Sequence, residues 1–161
     1  MLPPANGDWE GDTVEGRKGS GHIATHVERK SRYLIAAKLT DKSAAVTATS
    51  VTTAYRRVPK LLRKTLTLDN GKEFARFKQI ERDTGLRVYF ADPYAAWQRG
   101  ANENTNGRLR QYFPKGTDFT NITDESLAQV VKKLNHRPRK CLNFQTSHEV
   151  FSVQFFKENE S

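Results

Sequence analysis

Within its first 40 residues the chain carries three short extended runs joined by turns too brief to hold a helix. That spacing commits the N-terminal quarter to a β-meander. The first run spans Trp9 to Glu15, and the basic stretch Gly16-Arg17-Lys18-Gly19-Ser20-Gly21 is a natural hairpin connection. The second, His22 to Val27, alternates so that Ile23, Thr25 and Val27 share one face, and Glu28-Arg29-Lys30-Ser31 turns the chain into Tyr33 to Ala37. Beyond the meander the pattern changes period. Ser43 is placed to cap a helix running to about Val58, ended by Pro59. Leu66-Thr67-Leu68 predicts a strand that stops at the turn Asp69-Asn70-Gly71. A helix from about Glu73, with Phe74, Phe77 and Ile80 on one side, closes at Thr84-Gly85. Leu86 to Phe90 is a further strand, and a loop from Ala91 to Gly100 leads into a helix from about Ala101 to Phe113. That helix turns Thr105, Leu109 and Tyr112 or Phe113 toward the core. Thr123 caps another, with Leu127, Val130, Val131 and Leu134 at core spacing before Pro138; the last begins at Thr146-Ser147-His148-Glu149, which fits a capping box. The order βββ-α-β-α-β-α-α predicts an α/β fold, a mixed sheet with helices on its faces, in a single domain over residues 1–161.

Charge narrows the partners. The 27 Lys and Arg against 18 Asp and Glu leave a formal net charge of +9, which favours a polyanion such as nucleic acid. RNA, DNA and acidic membranes suit such a surface alike, and a merely well-solvated basic surface has the same composition. Cys141 is the only cysteine, which excludes an internal disulfide and a Cys-rich zinc site and fits a reducing, cytoplasmic compartment. The opening residues form no apolar leader, and no apolar run is long enough to cross a bilayer, so no membrane partner is expected.

Three carboxylates stand where structure alone does not ask for them. Phosphodiester cleavage by two metal ions needs a few carboxylates converging on one small volume, because hard divalent cations take oxygen ligands and their charge must be compensated. Asp12 lies in the middle of a strand, Asp69 ends a strand at a Gly-containing turn, and Glu103 falls in the first turn of a helix behind a loop. Each also has an ordinary explanation: an edge-strand surface residue, a common turn composition, and a favourable charge at a helix N-terminus. His22 and His26 share a strand face and, without further ligands, read as structural.

The contexts of these acids resemble the catalytic core of DDE transposases. They are Trp9-Glu10-Gly11-Asp12, Leu68-Asp69-Asn70-Gly71-Lys72-Glu73-Phe74, and Phe90-Ala91-Asp92-Pro93-Tyr94 through Trp97-Gln98-Arg99-Gly100-Ala101-Asn102-Glu103-Asn104-Thr105-Asn106-Gly107. The fuller likeness is to the bacterial branch named after insertion sequence thirty, within the retroviral-integrase superfamily. Asp69 and Glu103 are separated by 33 residues, the spacing expected of that branch. Arg110 to Thr117 and Asn135 to Lys140 extend the likeness, which covers about Asp8 to Phe156. His148 stands where proline is expected, a departure remote from the acids.

The resemblance implies a ribonuclease H-like fold with a five-stranded mixed sheet and the acidic triad Asp12, Asp69 and Glu103 at its centre. It implies two Mg²⁺ or Mn²⁺ ions as cofactor and a transposase reaction on DNA, both transposon ends and target, with a homodimer on DNA and a site of action at the nucleoid of a bacterial cytoplasm. No small-molecule substrate is expected. Asp8, Glu10, Glu15, Glu73 and Asp92 match no catalytic acid and read as supporting or structural. Members of this branch usually carry helix-turn-helix segments ahead of the core, and with only a few residues before Trp9 the chain reads as an excised or solitary catalytic domain. Candidate phosphate contacts are Asn106, Gly107 and Arg110, which follow Glu103 on one helix face, then Lys72 and Arg99, and the later basic group Lys115, Arg137, Arg139 and Lys140. Tyr94 and Trp97 suit either base stacking or anchoring of their loop. A ribonuclease H type nuclease and a non-catalytic nucleic-acid-binding module of the same fold are the alternatives.

Overall fold

The computed structural model describes residues 6–92 and 100–160, with side chains given as far as 154. The strands are β1 (Asp8–Glu15), β2 (His22–Glu28), β3 (Leu34–Leu39), β4 (Thr65–Leu68) and β5 (Arg87–Phe90). The α-helices are α1 (Ala44–Tyr55), α2 (Phe77–Thr84), α3 (Gly100–Leu109), α4 (Asp124–Asn135) and α5 (Ser147–Glu160). One mixed sheet runs in the order β3-β2-β1-β4-β5. The meander pairs antiparallel as its short turns dictate, whereas β4 joins β1, and β5 joins β4, in parallel. Parallel neighbours need a long crossover, and α1 and α2 lie in the connections that supply them. Among the described residues no helix is long and apolar enough to cross a membrane.

Period-two alternation along β1 divides the molecule into two cores. Trp9 belongs to a cluster with Tyr55, Leu66, Leu68, Ile80 and Phe151, under α1, α2 and α5. Val14, from the opposite set of β1 positions, joins Ile23, Val27, Leu109, Phe119 and Leu134 under α3 and α4. β1 is therefore the central strand, packed on both faces, which removes the edge-strand explanation for Asp12.

The predicted helix starts hold at atomic detail. The Ser43 hydroxyl accepts from the Val46 N–H at 3.2 Å. Thr123 accepts from the Ser126 N–H while the Ser126 hydroxyl accepts from the Thr123 N–H, a reciprocal capping box. Thr146 accepts from the Glu149 N–H at 3.0 Å. Gly85 closes α2 at φ 82°, a left-handed position that favours glycine.

Three helix boundaries differ from the expectation by three residues or more. Helix α1 stops at Tyr55 rather than Val58, because Val58 precedes Pro59 and is steered out of the helical region; its N–H reaches back only to Tyr55. The helix expected from Glu73 is instead a 3₁₀ turn over Lys72–Phe74 followed by α2 from Phe77, since the Glu73 carboxylate is drawn inward to the Lys42 ammonium at 3.5 Å. Helix α3 ends at Leu109, where the N–H of Gln111 tightens onto the Arg108 carbonyl.

His26 is read correctly as structural, and its burial has a measurable consequence. Its Nδ1 lies 2.8 Å from the Tyr55 hydroxyl, and its ring meets Tyr55 edge-on at 5.3 Å. Burial pushes its pKa down from 6.5 to about 3. The unfolded imidazole protonates near pH 6.5 and the folded one does not, so the unfolded state binds more protons and stability falls as pH drops from 6.5 toward 3. Between pH 6.5 and 4 the loss through this group is about 3 kcal/mol, at 1.36 kcal/mol per unit. Urea unfolding at several pH values checks it: His26→Gln is expected to lose less stability than the parent over that window, and identical pH profiles would refute the assignment.

Candidate active site

Continuing the β1–β4 register explains how two distant acids become neighbours. The ladder pairs Asp8 with Thr65, Trp9 with Leu66 and Glu10 with Thr67, so two further steps bring Asp12 opposite Asp69. A Cβ built on Gly11, one step along, would sit 2.7 Å from the Leu68 side chain, which fits that register. Neighbouring strands lie about 5 Å apart, and alternation turns Asp12 and Asp69 to the same face. Helix α3 covers that face: the backbone N–H of Asn102 donates to Glu10 at 3.3 Å, and the Asn106 amide donates to Asp12 Oδ2 at 3.0 Å.

Glu103 stands one helical turn before Asn106, and side chains three apart on a helix are surface neighbours. It is exposed, with no hydrogen bond or ion pair to a described residue. Asp12, by contrast, is half-buried and held: Oδ1 accepts from the Thr13 N–H at 2.8 Å and Oδ2 from Asn106. Asp69 Oδ1 accepts from the Gly71 N–H at 2.8 Å, an Asx turn that fixes the end of β4. Among the described residues no three His, Cys, Asp or Glu side chains stand close enough together to enclose a cation as they are. The donor set nevertheless suits one in kind, because Asp12 and Asp69 on one face of the sheet and Glu103 on the helix over that face all offer hard carboxylate oxygens.

Beneath the acids lies a polar layer that the sequence did not disclose. Asn106 Oδ1 accepts from the Thr25 hydroxyl at 2.7 Å while its amide holds Asp12. Asn102, fully buried, donates to the Thr25 carbonyl at 3.3 Å. Glu10 is 2% exposed and pairs with Arg29 at 3.3 Å. Asn106 thus orients an acid rather than simply facing a ligand. Its spacing to Glu103 was legible, but nothing in the sequence announced its strand partner.

The expected phosphate contacts divide into several groups. Lys72, Lys115 and Lys140 are exposed. Gly107 is exposed, and a Cβ there would meet nothing within 4 Å, so a backbone can approach closely. Arg110 lies past the end of α3 and donates to the carbonyls of Glu15 at 2.9 Å and Phe113 at 3.3 Å, tying the helix to β1. Arg137 is partly held by the Tyr112 hydroxyl at 2.9 Å. Arg139, expected on the surface, is 5% exposed, because the turn after α4 folds it inward beside the bridge between Pro138 and Thr146. Arg99, Tyr94 and Trp97 lie outside the described residues.

The integrase core domain family matches residues 3–96. The transposase InsI for insertion sequence element IS30A of Escherichia coli (strain K12) is 49% identical over 144 residues, which is 89% of this chain and 37% of that protein. The transposase for insertion sequence element IS1086 of Cupriavidus metallidurans is 43% identical over 146 residues, 91% of this chain and 43% of that protein. The chain thus spans less than half the length of these relatives. Among solved structures, the catalytic core domain of BIV integrase superposes with a TM-score of 0.73 at 18% identity, covering 96% of this chain and 99% of that one. A chain of the simian T-cell lymphotropic virus intasome in complex with PP2A regulatory subunit B56 gamma gives 0.72 at 22% identity, covering 92% and 55%. These two likenesses support the ribonuclease H-like fold.

Proposed function

The chain belongs to the integrase core domain family, and from that premise we propose that it is the metal-dependent catalytic domain of a DNA transposase, with Asp12, Asp69 and Glu103 as its acids. The observation that carries this reading is the β1–β4 register, which sets Asp12 beside Asp69, together with the Asn106 contact, which brings α3, the helix that bears Glu103, against Asp12. Divalent ions held there would activate a water or hydroxyl oxygen and stabilise the departing one. In the first step water adds to a phosphorus and the P–O3′ bond breaks, leaving a 3′-hydroxyl and a 5′-phosphate. That hydroxyl then attacks a target phosphodiester, so one P–O bond forms as another breaks.

The chain's own residues orient and position. Asn106 and the Thr13 N–H fix the Asp12 carboxylate, the Asx turn fixes Asp69, and Glu103 is free to turn toward them. Lys72, Lys115, Lys140 and Arg137, with Arg99 and the open surface at Gly107, supply the contacts to DNA, which is bound with little sequence preference. The protein works as a dimer on transposon ends and target, at the nucleoid of a bacterial cytoplasm, a reading supported by bacterial relatives such as those above.

The test has two parts. With Mg²⁺ or Mn²⁺ the protein is expected to nick duplex DNA carrying a terminal repeat of a related element, leaving 3′-hydroxyl ends. The same ions are expected to raise its melting temperature, and Asp69→Asn to remove most of that rise. Absence of nicking with every metal and DNA tried, together with a metal response unchanged in Asp69→Asn, would dismiss the reading. Cleavage confined to the RNA of a hybrid would transfer it to the ribonuclease H class.

A further inference from the structure

Glu73 is a buried acid that the fold leaves short of partners. Its side chain is 9% exposed, and its ion pair among the described residues is with the Lys42 ammonium, 3.5 Å from Oε2. A charge-assisted hydrogen bond is shorter, about 2.7 to 2.9 Å, and Lys42 is itself 42% exposed. No described residue donates a hydrogen bond to the Glu73 carboxylate. A carboxylate taken out of water in this way is costly, so a further positive charge arriving nearby relieves it.

The same carboxylate stands against the turn that fixes Asp69. Gly71 lies at φ −64° and ψ 146°, an extended conformation open to any residue, so the backbone does not call for glycine there. The need is for room. A Cβ built on Gly71 would collide with Glu73 Oε1 and stand 2.8 Å from Asp69 Oδ1, so two carboxylate oxygens crowd one point. The N–H of the same glycine donates to Asp69 Oδ1 at 2.8 Å. Backbone bonds tie the arrangement down: the Phe74 N–H closes the turn onto the Gly71 carbonyl at 3.1 Å, and Lys42 precedes Ser43, whose N–H donates to Asp41 at 2.7 Å where it caps α1. Two negative side chains thus meet at Gly71, one of them only loosely compensated.

We propose that Glu73, with Lys42 as its counterion, is a positioning residue of the metal site: seated against the turn that holds Asp69, it adds a second negative charge toward a divalent cation bound there. The proposal rests on the reading of Asp12, Asp69 and Glu103 as metal ligands. Its two members pull in opposite directions. Removing the Glu73 charge leaves that of Lys42 facing the site and weakens cation binding, whereas removing the Lys42 charge bares that of Glu73 and strengthens it. An ion pair that served the fold alone would give no such opposition, since breaking it from either side costs stability in the same sense.

The experiment uses the whole chain with Mn²⁺ as the probe, read as the rise in melting temperature across a titration at fixed ionic strength. Glu73→Gln, which keeps the volume, is expected to raise the half-saturating Mn²⁺ concentration about tenfold. Lys42→Met is expected to lower it about twofold to threefold, the smaller change because that ammonium is half-exposed and screened. Nicking is expected to follow the same order at low Mn²⁺ and to converge at saturation. Any other ordering of the three half-saturating concentrations overturns the role of Glu73; should Glu73→Gln not fold, the sign of the Lys42→Met shift decides alone. Asp69→Asn is the control that separates the two levels of failure. A Mn²⁺ response that survives it means the reading of the acids has failed, whereas a response lost there but indifferent to residues 42 and 73 dismisses the role of Glu73 alone.

Discussion

Glu103→Gln is expected to slow metal-dependent nicking of DNA by on the order of 10³-fold while leaving the unfolding transition where it was. The substitution keeps the shape of the side chain and removes one negative charge, which is what a carboxylate supplies to a hard cation and an amide does not. Glu103 is exposed and has no partner among the described residues, so nothing in the fold depends on it. Surface changes of this kind shift stability by about 0.5 kcal/mol or less. Activity and stability are therefore predicted to separate cleanly. Single-turnover nicking with Mg²⁺, beside urea unfolding of both proteins, measures the two; equal rates would remove Glu103 from the chemistry.

Trp9→Ala is expected to act in the opposite sense, costing about 3 to 5 kcal/mol of folding free energy. The indole is fully buried in β1 and donates to the Leu62 carbonyl at 2.8 Å. It meets Tyr55 edge-on at 5.2 Å and Phe151 at 5.9 Å, so it joins the sheet to α1 and α5 at once. Truncation leaves a cavity between three elements and strands a buried carbonyl. Against a typical stability of about 5 to 15 kcal/mol the variant is barely folded. Trp9→Phe keeps most of the volume and loses the hydrogen bond, and is expected to cost about 1 to 3 kcal/mol. An urea midpoint for Trp9→Ala close to the parent's would show that this residue does not hold the layers together.

The rules legible in the sequence were local ones. Alternation in β2 placed Ile23, Thr25 and Val27 correctly on one face, and Ser43, Thr123, Thr146 and Gly85 marked helix ends because capping depends on residues close by in the chain. Where α1, α2 and α3 were misjudged, a contact from elsewhere or a neighbouring proline decided the boundary: Lys42 drawing in Glu73, Pro59 constraining Val58, and Arg110 reaching back to Glu15. The candidate acids were singled out by the resemblance their contexts carry. That Asp12 and Asp69 stand side by side under α3 was not legible, since the β1–β4 register and the Asn106 contact join residues 57 and 94 apart. The burial of Arg139 was equally hidden, because composition assigns arginine to the surface and only the turn after α4 takes it inside.

The parallel seam between β1 and β4 also bears on when this protein becomes competent during its synthesis. Ribosomes add about 5 to 20 residues per second, so the hairpin waits several seconds for its partner strand to emerge. The helix that bears Glu103 comes later still. A nascent chain therefore exposes its first acid before it could cut anything, and the proposed activity waits for α3 to leave the ribosome.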